Sequence, residues 1–291
     1  MSRKRAPGGG GGRVPPPLLS GKRHHEASVF TPENLLREAR RQLSVPEGAV
    51  APVCVLDPDG DILRYLDRNG RLEANPNWAC YHTTLHDFSL DGPVLGDGPA
   101  LGDGLALGII GCAVGASFAV LLAEQLFASG CRLLISVTSS GQILSLRKPP
   151  YFILIEKALR DEGTSYHYLP AAEYVSIPDA LLELFEDDLP GLEEPLARGA
   201  VWTTDAPFRE TRSAIELCRS KGILAVEMEA AALYAFARAR GHPVICFAHI
   251  TNRMASAAGD FEKGAAAGSI EALRLIQATA SRWLAHNNES R

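Results

Sequence analysis

Apolar residues along this chain fall into short, strand-like runs separated by stretches with a helical period. Residues 30–43 present one apolar face. Thr31 stands at a capping position, Pro32 follows it and Glu33 sits in the first turn, which predicts an amphipathic helix. Residues 53–56 make a compact apolar strand that runs into the turn Asp57-Pro58-Asp59-Gly60. Further buried-type strands are expected at 107–112, 132–137, 152–155, 201–203 and 244–250, and helices at 117–129 (capped by Ser117), 181–185 and 269–285. The strongest helix signal covers 228–240, where Ala, Leu, Met and Arg dominate until Gly241 can end the run. Residues 91–104 repeat Leu-Gly-Asp-Gly at Leu95 and Leu101 and predict an exposed, turn-rich connection.

Strands alternating with helices imply a mainly parallel sheet covered on both faces, with any site beyond the carboxyl ends of its strands. No break in composition after residue 28 marks a second unit, so residues 28–291 read as one domain. Residues 1–27 differ. They carry Arg3, Lys4, Arg5, Arg13, Lys22 and Arg23 against Glu26 alone, with a glycine run at 8–12 and no apolar face, and read as a disordered basic tail. Because the whole chain carries −5, the body is strongly acidic and a poor partner for nucleic acid. No apolar run approaches the roughly 18 residues of a membrane span. The basic start has no apolar segment behind it to make a secretory signal. Cys54, Cys80, Cys112, Cys131, Cys218 and Cys246 are scattered, mostly in apolar segments. Reduced core cysteines in a cytoplasmic protein are the expectation, and no metal site is expected.

Candidate chemistry concentrates at Val226-Glu227-Met228-Glu229-Ala230-Ala231. Two carboxylates at a helix entrance can simply complement the helix dipole. A carboxylate can also accept two charge-assisted hydrogen bonds from a cis-diol. The string resembles the Glu-Met-Glu-Ala-Ala signature of the nucleoside phosphorylase family, the purine nucleoside and uridine phosphorylases with their nucleosidase relatives. In that family the second Glu holds ribose hydroxyls and the Met packs on the sugar. The resemblance therefore implies Glu229 on the diol, Met228 against the sugar and Glu227 as supporting ribose contact.

Further segments follow in the family's order across roughly residues 50 to 285. Gly60-Asp61-Ile62-Leu63-Arg64 is similar to its phosphate loop, with Ile62 for proline, which implies Gly60 and Arg64 on phosphate; taken alone it is a common surface turn. Gly111-Cys112-Ala113-Val114-Gly115-Ala116-Ser117 resembles a Gly-rich turn of the family, with Ala116 for proline. Ser136-Val137-Thr138-Ser139-Ser140-Gly141 keeps a hydroxyl series, implying Ser139 at phosphate or sugar and Ser140 and Gly141 beside the base. Ser136 stands where the family carries an arginine. A second arginine, lent by a neighbouring subunit in many members, has no clear equivalent between Asn75 and Phe88, where His82 and His86 lie. Arg160-Asp161-Glu162-Gly163-Thr164-Ser165 resembles a segment shaping the rim and a subunit contact. In Thr203-Thr204-Asp205-Ala206-Pro207-Phe208, Pro207 takes the usual base-stacking position and the role passes to Phe208, a core phenylalanine being the alternative. Asn252 and Arg253 end a strand as in uridine phosphorylases, where bacterial purine enzymes place an aspartate at 252. The short separation of Asp205 from Glu227 is the purine type.

The resemblance implies a three-layer α/β/α sandwich with a mixed, partly barrel-like central sheet. It also implies a homo-oligomer, hexamer or dimer, without metal or organic cofactor. The activity it implies is phosphorolysis of a nucleoside to free base and pentose 1-phosphate, with inorganic phosphate as co-substrate. Glu229, Arg64 and Asn252 form the expected catalytic set; Gly60, Arg64 and Ser139 hold phosphate; Asn252, Arg253, Phe208, Ser140 and Gly141 meet the base. The arginine lost at Ser136 leaves two alternatives open, a hydrolytic nucleosidase and a nucleoside-binding homologue without turnover. Purine against pyrimidine and ribose against deoxyribose stay open as well.

Overall fold

The computed structural model describes residues 21–90, 105–192, 195–254 and 260–289; the turn-rich connection at 91–104 and the first twenty residues of the tail lie outside the described residues. From the remainder of that tail, Lys22 hydrogen-bonds to the His167 ring (2.9 Å) and His24 to the Tyr166 carbonyl (3.2 Å). Among the described residues, no helix is long and apolar enough to cross a membrane.

α1 (Pro32–Leu43) starts as its sequence dictates, with the Thr31 hydroxyl accepting from the Asn34 amide and Leu36 and Ala39 buried. β1 (Val53–Asp57) is buried along its length. The turn after it becomes α2 (Asp61–Arg68), a helix the sequence does not announce: Gly60 enters it at φ 73, a left-handed conformation suited to glycine. The hairpin β2 (Glu73–Ala74) and β3 (His86–Ser89), then β4 (Ala106–Gly111), follow. α3 (Ala116–Ala128) begins one residue earlier than expected, and Gly115, not Ser117, occupies its cap; Ser117 is exposed. β5 (Leu133–Gln142) and β6 (Tyr151–Asp161) both far outrun their apolar cores. Short α4 (Ser165–Tyr168), β7 (Tyr174–Ser176) and α5 (Asp179–Leu182) lead to β8 (Ala197–Thr204), α6 (Arg212–Ser220) and β9 (Ala225–Glu227). α7 (Ala230–Arg240), β10 (Val244–Asn252) and α8 (Ser269–Glu289) complete the chain.

Among the described residues, ten strands join one sheet in the order β10-β6-β8-β9-β5-β1-β4-β3-β2, with β7 on the side of β6. β10 also pairs with β5, so β5, β10, β6, β8 and β9 close into a ring, and β1 to β4 extend from it. β1, β4, β5 and β10 run parallel, but β6 is antiparallel to β10 and β9 to β5. The sheet is therefore mixed and partly closed, not mainly parallel as strand–helix alternation alone implied. α1, α3, α4 and α7 pack together as one helical layer, and α2 packs with α8.

The additional length of β5 matters for the site. Thr138, Ser139 and Ser140 lie beyond the strand expected at 132–137, yet they continue the ladder, with Ser139 opposite His249 and Gly141 opposite Val226. α7 is buried from Ala230 through Ala237 rather than amphipathic, as befits a helix inside the core. Gly241 ends it at φ 71, as expected. The Tyr234 hydroxyl, fully buried, donates to the Ile155 carbonyl of β6 (2.5 Å) and accepts from the Cys246 amide of β10 (3.2 Å). Tyr234→Phe leaves the Ile155 and Cys246 groups short of a partner and should lower the unfolding free energy by about 1–3 kcal/mol, measured by urea titration. An unchanged midpoint would show that this clasp contributes nothing.

Candidate active site

β9 ends in Glu227, and its carboxylate anchors the entrance of α7. It accepts from the backbone amides of Glu229 and Ala230, both at 2.7 Å, and from the Thr203 hydroxyl. These bonds satisfy donors at the first turn, which is why the helix begins at Ala230 and not at Met228. Glu227 is thus turned into the fold, where its bonds position Glu229. Met228 beside it is half-buried.

Glu229 is 1% exposed. One carboxylate oxygen accepts from the Gly115 amide (2.7 Å) at the start of α3, the other from the Thr138 hydroxyl (2.9 Å) on β5. Sequence alone singles out neither partner for this task, although both lie in segments that resemble the family. Burial pushes the pKa of both glutamates up, and the Glu227 charge adds to the rise at Glu229. With three donors and a helix end, Glu227 is the better placed to keep its charge, so Glu229 is the member of the pair that takes the proton first.

The expected phosphate ligands come together, but each is already engaged. The Gly60 amide donates to the Asp57 carbonyl (2.9 Å) and carboxylate (3.1 Å). Arg64, with 49% of its side chain exposed, pairs with Asp61 (2.7 Å) and reaches the Asp59 carbonyl (2.8 Å). The Ser139 amide donates to the Asp59 carboxylate (2.7 Å), and its hydroxyl shares a hydrogen bond with Thr251 (2.8 Å). In sequence Asp59 reads only as a turn residue. Its place two residues past a strand end is the one signal that could have marked it. Asp57 is 2% exposed, and burial lifts its pKa to about 7. Ser136, at the lost arginine, is buried with its hydroxyl lacking a hydrogen-bond partner.

On the base side the residues separate. Asn252 is buried; its side-chain carbonyl accepts from the Met254 amide (2.9 Å) and its NH₂ donates to Thr251 (3.2 Å), leaving a second N–H. Met254, at φ 65, lies over Gly141, where a Cβ would come within 2.8 Å of its sulfur. The Ser140 hydroxyl turns back to the Thr138 carbonyl (3.3 Å). Arg253 is exposed, with its backbone amide held by Asp260 (3.2 Å). Phe208 is 100% exposed in a short 3-10 turn, so it neither belongs to the core nor stacks inside a pocket here. His82 is exposed, and His86 lies on β3 with its Nδ1 buried and lacking a partner. Arg160 stitches its segment together through Ser165, Leu169 and Pro170, the structural role its sequence implied. All six cysteines are free, but Cys112 is exposed in the turn beside Arg64, not core. Among the described residues, no cluster of His, Cys, Asp or Glu could hold a metal ion.

A family model described as the phosphorylase superfamily matches residues 100–281, more than half of the chain and inclusive of Ser139, Glu229 and Asn252. The chain belongs to that superfamily. It is 29% identical over 138 residues to a guanosine phosphorylase of Halorubrum lacusprofundi, covering 46% of this chain and 55% of the relative. The chain thus spans about half the length of the curated relatives it matches. Solved structures with the same fold include a uridine phosphorylase from Vibrio fischeri (22% identity, TM-score 0.60, covering 82% of this chain and 92% of that one). A purine nucleoside phosphorylase from Toxoplasma gondii (17%, TM-score 0.64, 82% and 93%) and a futalosine hydrolase mutant from Helicobacter pylori (14%, TM-score 0.57, 80% and 99%) share it as well. At these identities the structures establish the architecture, a mixed α/β fold around a partly closed sheet.

A carboxyl group whose pKa rises on folding binds its proton more tightly in the native state. Stability is therefore greatest near the unfolded carboxyl value and declines as pH climbs through the folded values, about 7 for Asp57 and higher for Glu229. Urea midpoints should fall from about pH 5 to about pH 8. Glu229→Gln, uncharged throughout, should make that fall shallower. A mutant slope equal to the native one would mean that Glu229 titrates normally.

Proposed function

We propose that this member of the superfamily cleaves the N-glycosidic bond of a nucleoside with water as the acceptor. One observation carries the reading: the Asp59 carboxylate occupies the Ser139 amide, the position where an anionic acceptor would dock. Asp57 and Asp61 flank it, and Arg64 is already paired with Asp61. A phosphate dianion entering here meets like charge and must displace a carboxylate. The cavity at this point, lined by Asp57, Asp59, Ser139 and His249, measures about 10 Å³. That is close to the roughly 10–15 Å³ one water needs.

In this reading Glu229 and Met228 hold the pentose. Water oxygen bonds to the anomeric carbon as the carbon–nitrogen bond breaks, and the bonding pair leaves with the base. Asp59 takes the proton from water, and the spare Asn252 N–H stabilises charge gathering on the base. Phosphorolysis is the second reading. It is favoured by the half-exposed Arg64 beside Gly60 and by the likeness to guanosine phosphorylase.

A panel of purine and pyrimidine nucleosides, assayed for base release with and without inorganic phosphate, separates the two. Hydrolysis gives equal rates and free pentose; strict phosphate dependence with pentose 1-phosphate as product would overturn it. Asp59→Asn should lower kcat by about 10²-fold or more with little change in KM. Should Asp59→Asn instead raise phosphate-dependent turnover, Asp59 is a blocker of phosphate and not a base.

A further inference from the structure

Five residues with polar side chains line the small acceptor cavity, and four of them are engaged within the fold. Asp57 accepts from the Gly60 (3.1 Å) and Leu63 (2.9 Å) amides, and Asp61 pairs with Arg64 and Lys263. The Ser139 hydroxyl shares a hydrogen bond with Thr251, and one Asp59 oxygen accepts from the Ser139 amide. The fifth is His249. It is 6% exposed, and among the described residues neither of its ring nitrogens has a hydrogen-bond partner. Buried donors and acceptors without a partner are rare in native proteins, and a bound water or a catalytic role accounts for many of those that occur. The ring is held firmly in place. β10 sets His249 opposite Ser139 of β5 and Phe152 of β6, and the ring stacks on Phe152 at 4.5 Å and 12°. Gly268, at φ 76, lies against its other edge, where a Cβ would come within 2.2 Å of Cε1 and 2.8 Å of Nε2. Burial holds the His249 pKa down to about 4, with Lys263 adding to the fall and Asp61 opposing it. The ring is therefore neutral, with a proton on one nitrogen and a lone pair on the other. A water held in a polar site needs two or more partners, and Asp59 supplies one.

We propose that His249 is a further catalytic residue of the hydrolysis, accepting one hydrogen bond from the attacking water while Asp59 accepts the other. With both hydrogens engaged, an oxygen lone pair is left to face the anomeric carbon. As the carbon–oxygen bond forms and the carbon–nitrogen bond breaks, the proton on the Asp59 side moves to that carboxylate. The hydrogen on the His249 side stays on the oxygen and becomes the hydroxyl hydrogen of the free pentose. His249 neither gains nor loses a proton in the step. This role rests on water being the acceptor, the reading given above.

The test assays base release without phosphate in the native full-length protein and in three variants. His249→Ala should lower kcat by about 10²-fold with little change in KM, because the ring orients water and does not hold the nucleoside. Imidazole added at about pH 8, where it is mostly neutral, should recover about tenfold of that loss in a saturable manner. It has a way in, because His249 also lines a larger cavity of about 460 Å³ on the side of α8. His249→Gln keeps a hydrogen-bond acceptor and His249→Leu does not, at similar size. The His249→Gln protein should be the faster of the two by about tenfold, and this pair decides if the His249→Ala protein does not fold. Equal rates for the pair, undiminished turnover in His249→Leu, or no gain from imidazole in His249→Ala would overturn the role of His249 and leave hydrolysis standing. A native protein that releases base only with phosphate overturns hydrolysis, and the role of His249 falls with it.

Discussion

The site is organised by one buried carboxylate. Glu229 joins the strand-to-helix junction that carries it to the turn before α3, through Gly115, and to the middle of β5, through Thr138. Removing a carboxylate from water is costly unless its oxygens find donors, and these two donors come from segments far apart in sequence. Once Glu229 is satisfied, the turn, the strand and the helix entrance have a single relative arrangement. Glu227 does for the helix what Glu229 does for the site, absorbing amides that would otherwise be orphaned. The two acids are near neighbours in sequence, yet one holds the helix entrance and the other ties that entrance to Gly115 and Thr138.

Charge divides the acceptor side from the base side. Asp57, Asp59 and Asp61 fall within five residues, and the cations beside them, Arg64 and Lys263, are both drawn to Asp61. An acceptor that arrives neutral and leaves a proton behind suits these surroundings; one that arrives as a dianion does not. At the other end, Asn252 is held by Met254 and Thr251 with one N–H to spare, and on the function proposed above that donor meets the departing base.

Much of this is legible in the chain. The strand cores, the Thr31 cap, the Gly241 stop and the order of the motifs all arise from local chemistry, and the Glu-Met-Glu string marks the buried carboxylates at the entrance of α7. Partners set by tertiary closure are not legible. Thr138 to Ser140 fall outside the expected strand because polar residues seldom continue a buried one; they do so here because their side chains meet Glu229, Thr251 and the strand's own backbone. Asp57-Pro58-Asp59-Gly60 reads as a turn, and it is one, but only the fold brings Asp59 onto Ser139. Phe208 is singled out by its neighbours in sequence; its full exposure depends on the 3-10 turn that swings it outward.

The closed ring of β5, β10, β6, β8 and β9 has a wider implication. Glu229 hangs from a member of that ring, whereas Asp59 and Arg64 belong to the turn after β1 and to α2, outside it. On the function proposed above, grip on the sugar and choice of nucleophile are therefore carried by separable parts. Lineages built on this scaffold could exchange one co-reactant for another by rewriting a handful of positions in that one segment, leaving the rigid hoop untouched.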